Sequence, residues 1–293
     1  MKCIVCSLFF SVVLLSGCGT SQSVTDDVSL TQVSELTGFE IPESFAIDVD
    51  NQCVYVPNCA GDPEKSWVDD GDGFISKIDN GGTKILEKKW LASRPGEILN
   101  DPKSLAIFNG YLYICDNKRL LKVPLDKIAK VEQVELGTTE GLGDCLVYNN
   151  TLYVGYGKDN VIIKLDKEGT VSRIKGVNGI NGLAAHNGKL FAVTWGTHEI
   201  YEIDPKGERD PISFDLADKF VNLDGIDILE DGTFLISDFK GNAIYSLKPD
   251  RTTLKKLADI ESPADILVDH ARSLLYVPSY EEQKITVYRI DRD

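Results

Sequence analysis

A hairpin recurs six times along this chain, and its spacing leaves few folds open. The copies begin PESFAIDVDNQCVYVPN at Pro42, PKSLAIFNGYLYICDN at Pro102, LGDCLVYNNTLYVGY at Leu142, INGLAAHNGKLFAVTW at Ile180, LDGIDILEDGTFLISDF at Leu223 and PADILVDHARSLLYVPS at Pro263. Each is an apolar run, a short polar turn, then a run mixing aromatic and β-branched residues, the pattern of an antiparallel hairpin. Aligning the copies puts Glu43, Lys103, Gly143, Asn181, Asp224 and Ala264 at one shared lead position, with steps of 60, 40, 38, 43 and 40 residues. That period suits four-stranded propeller blades rather than βαβ units. The chain is therefore expected to be all-β, a six-bladed β-propeller of antiparallel four-stranded blades, with the lead positions gathered at one end of the central channel.

Second strand pairs follow the hairpins, as in GFISKIDNGGTKILEKKW from Gly73, NVIIKLDKEGTVSRIKG from Asn160, HEIYEIDPKGERDPISF from His198 and NAIYSLKPDRTTLKKLA from Asn242. Charges at alternate positions mark these as outer strands with one wet face. The sixth blade lacks a fourth strand after ITVYRID from Ile285. SLTQVSELTG, Ser29 to Gly38, is expected to pair beside it and join the two ends of the ring, the alternative being an unpaired tail and an open strand edge. The long first step comes from an insertion, Asn58 to Gly73, between the second and third strands of blade 1. It holds Trp67 and the acidic run Asp69-Asp70-Gly71-Asp72. The run lacks the spacing of a twelve-residue calcium loop, which leaves a solvated turn or a lid over the mouth.

The first 17 residues stand apart from the repeat: Lys2, an apolar run from Ile4 to Leu15, then Leu15-Ser16-Gly17-Cys18. This is the order of a secretory leader. Leu-Ser-Gly-Cys resembles the bacterial lipobox, which implies cleavage before Cys18 and a lipid on its thiol. Residues 1–17 would be the leader, 18–28 a flexible tether and 29–293 the propeller. The chain would then sit at the cell envelope, lipid-anchored in the membrane and facing the periplasm. Gly19, where inner-membrane retention uses aspartate, points to the outer membrane of a Gram-negative cell.

Without the leader, 30 basic and 46 acidic residues give a net charge of −16. Such a surface repels nucleic acid and anionic lipid and offers carboxylates to cations. No Gly-x-x-x-x-Gly-Lys-Ser/Thr loop is present to cradle a nucleotide's phosphates. Four cysteines remain in the propeller, Cys53, Cys59, Cys115 and Cys145, in no zinc spacing. Cys115 and Cys145 are placed for a disulfide between neighbouring blades, or all four are buried thiols.

At the lead position Glu43, Asn181 and Asp224 supply two carboxylates and one amide oxygen, ligand types suited to a hard divalent cation. Asn181-Gly182 and Asp224-Gly225 serve equally as turns, so spacing leaves both readings open. The hairpins resemble the gluconolactonase / senescence-marker-protein family of six-bladed propellers. Asn181-Gly182-Leu183 is similar to its Asn-Gly-Leu motif and Asp224-Gly225-Ile226 to its Asp-Gly-Met/Ile motif. The order of Gly73-Phe74-Ile75-Ser76-Lys77, Pro102-Lys103-Ser104, Thr194-Trp195-Gly196 and Pro263-Ala264-Asp265-Ile266 resembles bacterial envelope lipoproteins of the NHL/strictosidine-synthase-like propeller group.

The first resemblance implies a divalent cation (calcium, magnesium, manganese or zinc) held by Glu43, Asn181 and Asp224. It also implies hydrolysis of a lactone or related ester, the ion polarising the carbonyl and Asp224 helping to activate water. The sequence departs from that family at Gly143, where a further site asparagine would stand. Lys103 either attracts an anionic substrate or balances Glu43, and Trp195 and His198 either line the pocket or serve as a packing tryptophan and a surface histidine. The other reading is a non-catalytic propeller that holds a small-molecule ligand or an envelope protein.

Overall fold

The computed structural model describes residues 27–65, 67–126, 130–137, 141–157 and 160–292. The expected leader, Cys18 and the expected tether up to residue 26 lie outside the described residues. Six four-stranded antiparallel sheets make six blades, and each runs from an inner strand at the channel to an outer one at the rim. Blade 1 comprises Ala46–Asp48, Cys53–Asn58, Phe74–Asp79 and Ile85–Ala92, and blade 2 Pro102–Phe108, Tyr111–Asp116, Arg119–Pro124 and Glu132–Val134. Blades 3 to 5 start at Leu142–Tyr148, Ile180–His186 and Leu223–Ile228.

Blade 6 takes its outermost strand from the other end of the chain. Leu267–Asp269, Leu274–Ser279 and Lys284–Arg292 are followed in the sheet by Val28–Thr37, which runs antiparallel to the last strand. Val28 faces Arg292 and Thr37 faces Lys284, with one register shift between Gln32 and Ser34. The strand begins at Val28, one residue before the expected start, because Val28 is buried between blades 5 and 6. Lys284 then pairs with Glu35 at 3.2 Å across the seam. Joining the two ends removes the open strand edge that a short last blade would leave.

Both faces of each blade's middle strands are covered by the neighbouring blades, so the core is a ring of interfaces rather than one central mass. Leu120, Cys115 and Tyr113 of blade 2 pack on Leu142, Val154 and Ile163 of blade 3. Phe191 and Val193 of blade 4 pack on Ile226, Phe234 and Ile236 of blade 5, and Leu36 and Phe39 join the cluster between blades 6 and 1. The outer strands are the wet ones; Ile85–Ala92 and Val171–Lys175 expose half or more of their residues. All four propeller cysteines are buried free thiols. Cys115 and Cys145 lie in one cluster without a covalent link.

Candidate functional site in the channel mouth

One hydrogen bond, repeated in every blade, fixes the lead position in space. The residue after each second strand donates its N–H to the carbonyl two residues before the lead residue. The pairs are Cys59 to Ile41 (3.0 Å), Asn117 to Asp101 (3.4 Å), Gly157 to Gly141 (3.1 Å), Trp195 to Gly179 (3.1 Å), Phe239 to Asn222 (2.8 Å) and Tyr280 to Ser262 (3.0 Å). In blades 2 to 5 the strand register also slips at the lead residue, between Pro102 and Ser104, Leu142 and Cys145, Ile180 and Gly182, and Leu223 and Ile226. Such a bulge turns a side chain out of the strand's alternation. Here Glu43, Lys103, Gly143, Asn181 and Asp224 line a cavity of about 620 Å³ at one end of the channel. Blade 6 differs, since Ala264 is fully buried and Asp265 reaches the cavity instead.

The donors of that repeated bond make a second column around the same mouth. In blades 1 to 3 it is Cys59, Asn117 and Gly157; in blades 4 to 6 it is Trp195, Phe239 and Tyr280. The three rings form a continuous wall, with Trp195 to Phe239 at 5.3 Å between centroids and Phe239 to Tyr280 at 5.5 Å, both edge to face. Edge-to-face contact sets the positive edge of one ring against the negative face of the next.

The insertion of blade 1 covers the opposite side. Its short 3-10 turn, Pro63–Lys65, meets the Tyr280 hydroxyl, which donates to the Pro63 carbonyl at 3.3 Å. Trp67, half-exposed, donates its N–H to Asp101 Oδ2 at 2.9 Å. Asp69 Oδ1 accepts from the side-chain amides of both Asn100 and Asn117 at 3.0 Å. A Cβ on Gly141 would come within 2.7 Å of the Trp67 ring, so glycine there lets the indole lie over the cavity. Asp69, part of the acidic run, is thus a latch on blade 2, and the insertion bridges blade 6 to blade 2 above the cavity.

The floor is charged and largely buried. Lys103 Nζ stands 3.0 Å from Glu43 Oε1 and 3.4 Å from Cys59 Sγ, and its ammonium lies 5.2 Å from the Trp67 ring centre. Burial opposes the charge on Lys103, but the Cys59 sulfur, Glu43 and other acidic neighbours outweigh it and hold its pKa well above the ordinary lysine value. Burial likewise pushes the Cys59 thiol well up. Across the cavity Asp224 is raised well above the usual carboxylate range, first by burial and then by the charge of Glu43, against a hydrogen bond from Asn181. Asp265 is raised by burial and by Asp144 and Asp224. The site therefore holds one fixed ammonium, its carboxylate partner, and two acids that retain protons at higher pH than a surface aspartate.

Of the residues expected from sequence, Glu43, Lys103, Asn181, Asp224 and Trp195 share this cavity, whereas His198 is not among its lining residues. Lys103 does balance Glu43. The three oxygen donors proposed for a cation are chemically suited to one and line the same cavity, where Lys103 occupies Glu43. Glu43 is engaged by a buried ammonium, and among the described residues no three His, Cys, Asp or Glu side chains stand close enough to hold a metal ion. Gly143 has a physical reason of its own: a Cβ there would lie 2.2 Å from the Ile180 carbonyl oxygen, so no asparagine fits without moving blade 4. Asp144, next to it, turns away and accepts from the Ser104 hydroxyl and, at 2.6 Å, from the Leu183 N–H. Phe239, Tyr280 and Asp265 were not singled out in the sequence, although the first two end hairpins in register with Trp195.

Many solved structures are similar in fold, among them the following three. A virginiamycin B lyase from Staphylococcus aureus superposes with a TM-score of 0.61 at 16% identity, over 90% of this chain and 99% of that one. A luciferin-regenerating enzyme gives 0.63 at 16% identity over 90% and 95%. A structural genomics protein of unknown function from Bacteroides thetaiotaomicron gives 0.65 at 13% identity over 91% and 73%. At such identities the likeness establishes the shared propeller fold. No protein-family model matches the chain, and no curated protein sequence matches it.

Proposed function

We propose that the protein is a small-molecule-binding propeller held at the cell envelope by a lipid on Cys18, with the channel mouth as its binding site. The observation that carries this reading is the pairing of a 620 Å³ cavity with a continuous aromatic wall on one side and convergent polar groups on the other. Cavities of this size, largely apolar with a few fixed polar groups, are the usual form of small-ligand sites. The wall accepts the flat or apolar part of a ligand. Asn181 and Asp224 offer hydrogen bonds to its polar part, and the Lys103–Glu43 pair keeps the floor rigid.

A thermal-shift screen of a chemically mixed small-molecule library, repeated on Trp195→Leu, tests it. Hits that shift the parent and not the variant are expected. A parent protein that no member of the library stabilises would remove the binding reading. Metabolic labelling with a radioactive or clickable fatty acid, lost in Cys18→Ser, tests the anchor.

Metal-dependent hydrolysis of a lactone or related ester is the second reading, favoured because Glu43, Asn181 and Asp224 line one cavity. A cation there requires Lys103 to release Glu43. Titration with calcium, magnesium, manganese and zinc during a lactone and aryl-ester screen separates the two readings. Turnover that needs the metal and is lost in Asp224→Ala supports hydrolysis; ligand binding without turnover supports the binding site alone.

A further inference from the structure

We propose that the ligand of the channel mouth is an organic cation, an ammonium bearing apolar substituents or a ring, seated against the Trp195–Phe239–Tyr280 wall. This rests on the small-molecule reading above and adds the charge of the ligand. Among the described residues that line the cavity, Glu64 and Glu281 are exposed carboxylates, Asp224 and Asp265 are acids that a neighbouring cation would ionise, and the single basic residue, Lys103, is already paired with Glu43 at 3.0 Å. The walls thus focus a negative potential on the space between them, which favours a positive guest and disfavours an anion.

The rings act in the same direction, because an aromatic face attracts a cation most strongly where water is excluded. The protein itself uses both tryptophans of the mouth in this way. Lys103 lies over Trp67 at 5.2 Å and Lys240 over Trp195 at 5.7 Å from the ring centres. Lys103 is buried and fixed, but Lys240 is exposed, so its ammonium can return to water when another cation takes the ring. A hydrated metal ion would gain little from three rings, and a neutral ligand little from the surplus of carboxylates. An alkyl- or aryl-ammonium uses both.

The test compares three compounds of one shape on the purified full-length chain by titration calorimetry: 3-hydroxyphenyltrimethylammonium, its neutral isostere 3-tert-butylphenol, and the anion 3-hydroxybenzenesulfonate. The cation is expected to bind at least fivefold more tightly than the neutral isostere, the gain of a single cation–ring contact of about 1 kcal/mol. Lys240→Ala should tighten the cation and weaken the anion, opposite signs that a purely structural lysine would not give. Phe239→Leu should weaken the cation severalfold at an unchanged melting temperature. A cation advantage below fivefold, or Lys240→Ala shifting both ions the same way, overturns the proposal. If the neutral or anionic compound binds as well, the cavity remains a small-molecule site of another class. If none of the three binds, the cation proposal falls, and the library screen decides the binding reading separately.

Discussion

Blades 1 to 3 and blades 4 to 6 put opposite chemistry at the same backbone positions. In the first half the residues after the second strands are Cys59, Asn117 and Gly157, small enough to leave room for a lid and for Lys103 to reach Glu43. In the second half they are Trp195, Phe239 and Tyr280, which stack into a wall that the insertion meets at Tyr280. The backbone hydrogen bond that holds each of these residues is the same in both halves. One scaffold can therefore carry a rigid, charged floor and an aromatic face side by side, and the two should fail differently when altered. Changes in the polar half should cost stability, and changes in the aromatic half should cost recognition.

The largest effect is expected from Lys103→Met. The Lys103–Glu43 pair is only 9% and 13% exposed, so removal of the ammonium strands a carboxylate near the buried Asp224. Breaking such a pair costs about 3–5 kcal/mol, read by urea unfolding. Adding Glu43→Gln should recover more than half of it. An additive double variant would show that the two side chains do not act as a unit.

Gly143→Asn comes next. It forces a side chain into the Ile180 carbonyl and should cost about 3 kcal/mol, lowering the melting temperature by about 6–12 °C. A variant as stable as the parent would mean that blade 4 yields freely at this contact.

The third prediction concerns pH. Burial raises Asp144 and Asp116 to about 6, so the folded chain retains protons that the unfolded chain, with carboxylates near about 4, has released. The native state then binds more protons than the unfolded one between about pH 4 and 6. Their contribution is present below that window and is lost as pH rises through it. Asp224 and Asp265, raised further, extend the fall upward. Melting temperature should decline from pH 4.5 to 7, and Asp144→Asn should flatten the decline. A rise over this range would mean that these buried carboxyls are not held above the ordinary aspartate range.

Trp195→Leu should have the smallest effect on stability, below about 1 kcal/mol, because the side chain is half-exposed at the rim. Its expected cost is to ligand binding. Equal losses of stability in the two halves would erase the distinction between floor and wall.

Much of the fold was legible because hairpins announce themselves locally. Alternation in YLYICD and LLYVPS marks strands, Asn109-Gly110 and Asp231-Gly232 mark turns, and a repeat near 40 residues implies blades. The pairing of SLTQVSELTG beside the last strand followed from the missing fourth strand. The candidate site was legible only in part. Asn181 and Asp224 stood out because their types suggest ligands, whereas Phe239 and Tyr280 looked like ordinary strand ends until the shared register placed them beside Trp195. Ala264 held the lead position in sequence, but the chain at blade 6 turns Asp265 into the cavity.

Sequence alone therefore determined the all-β class, the blade number and the lead positions of blades 1 to 5 that meet at the mouth, since period and alternation are local properties of the chain. Only the tertiary structure decided which members of those columns touch. Lys103 and Glu43 lie 60 residues apart and meet because they lead the inner strands of neighbouring blades and the bulge at Lys103 turns its side chain toward blade 1. That contact sets the charge of the floor, and whether the oxygen donors beside it face a fixed ammonium or an open space depends on distances that no local pattern encodes.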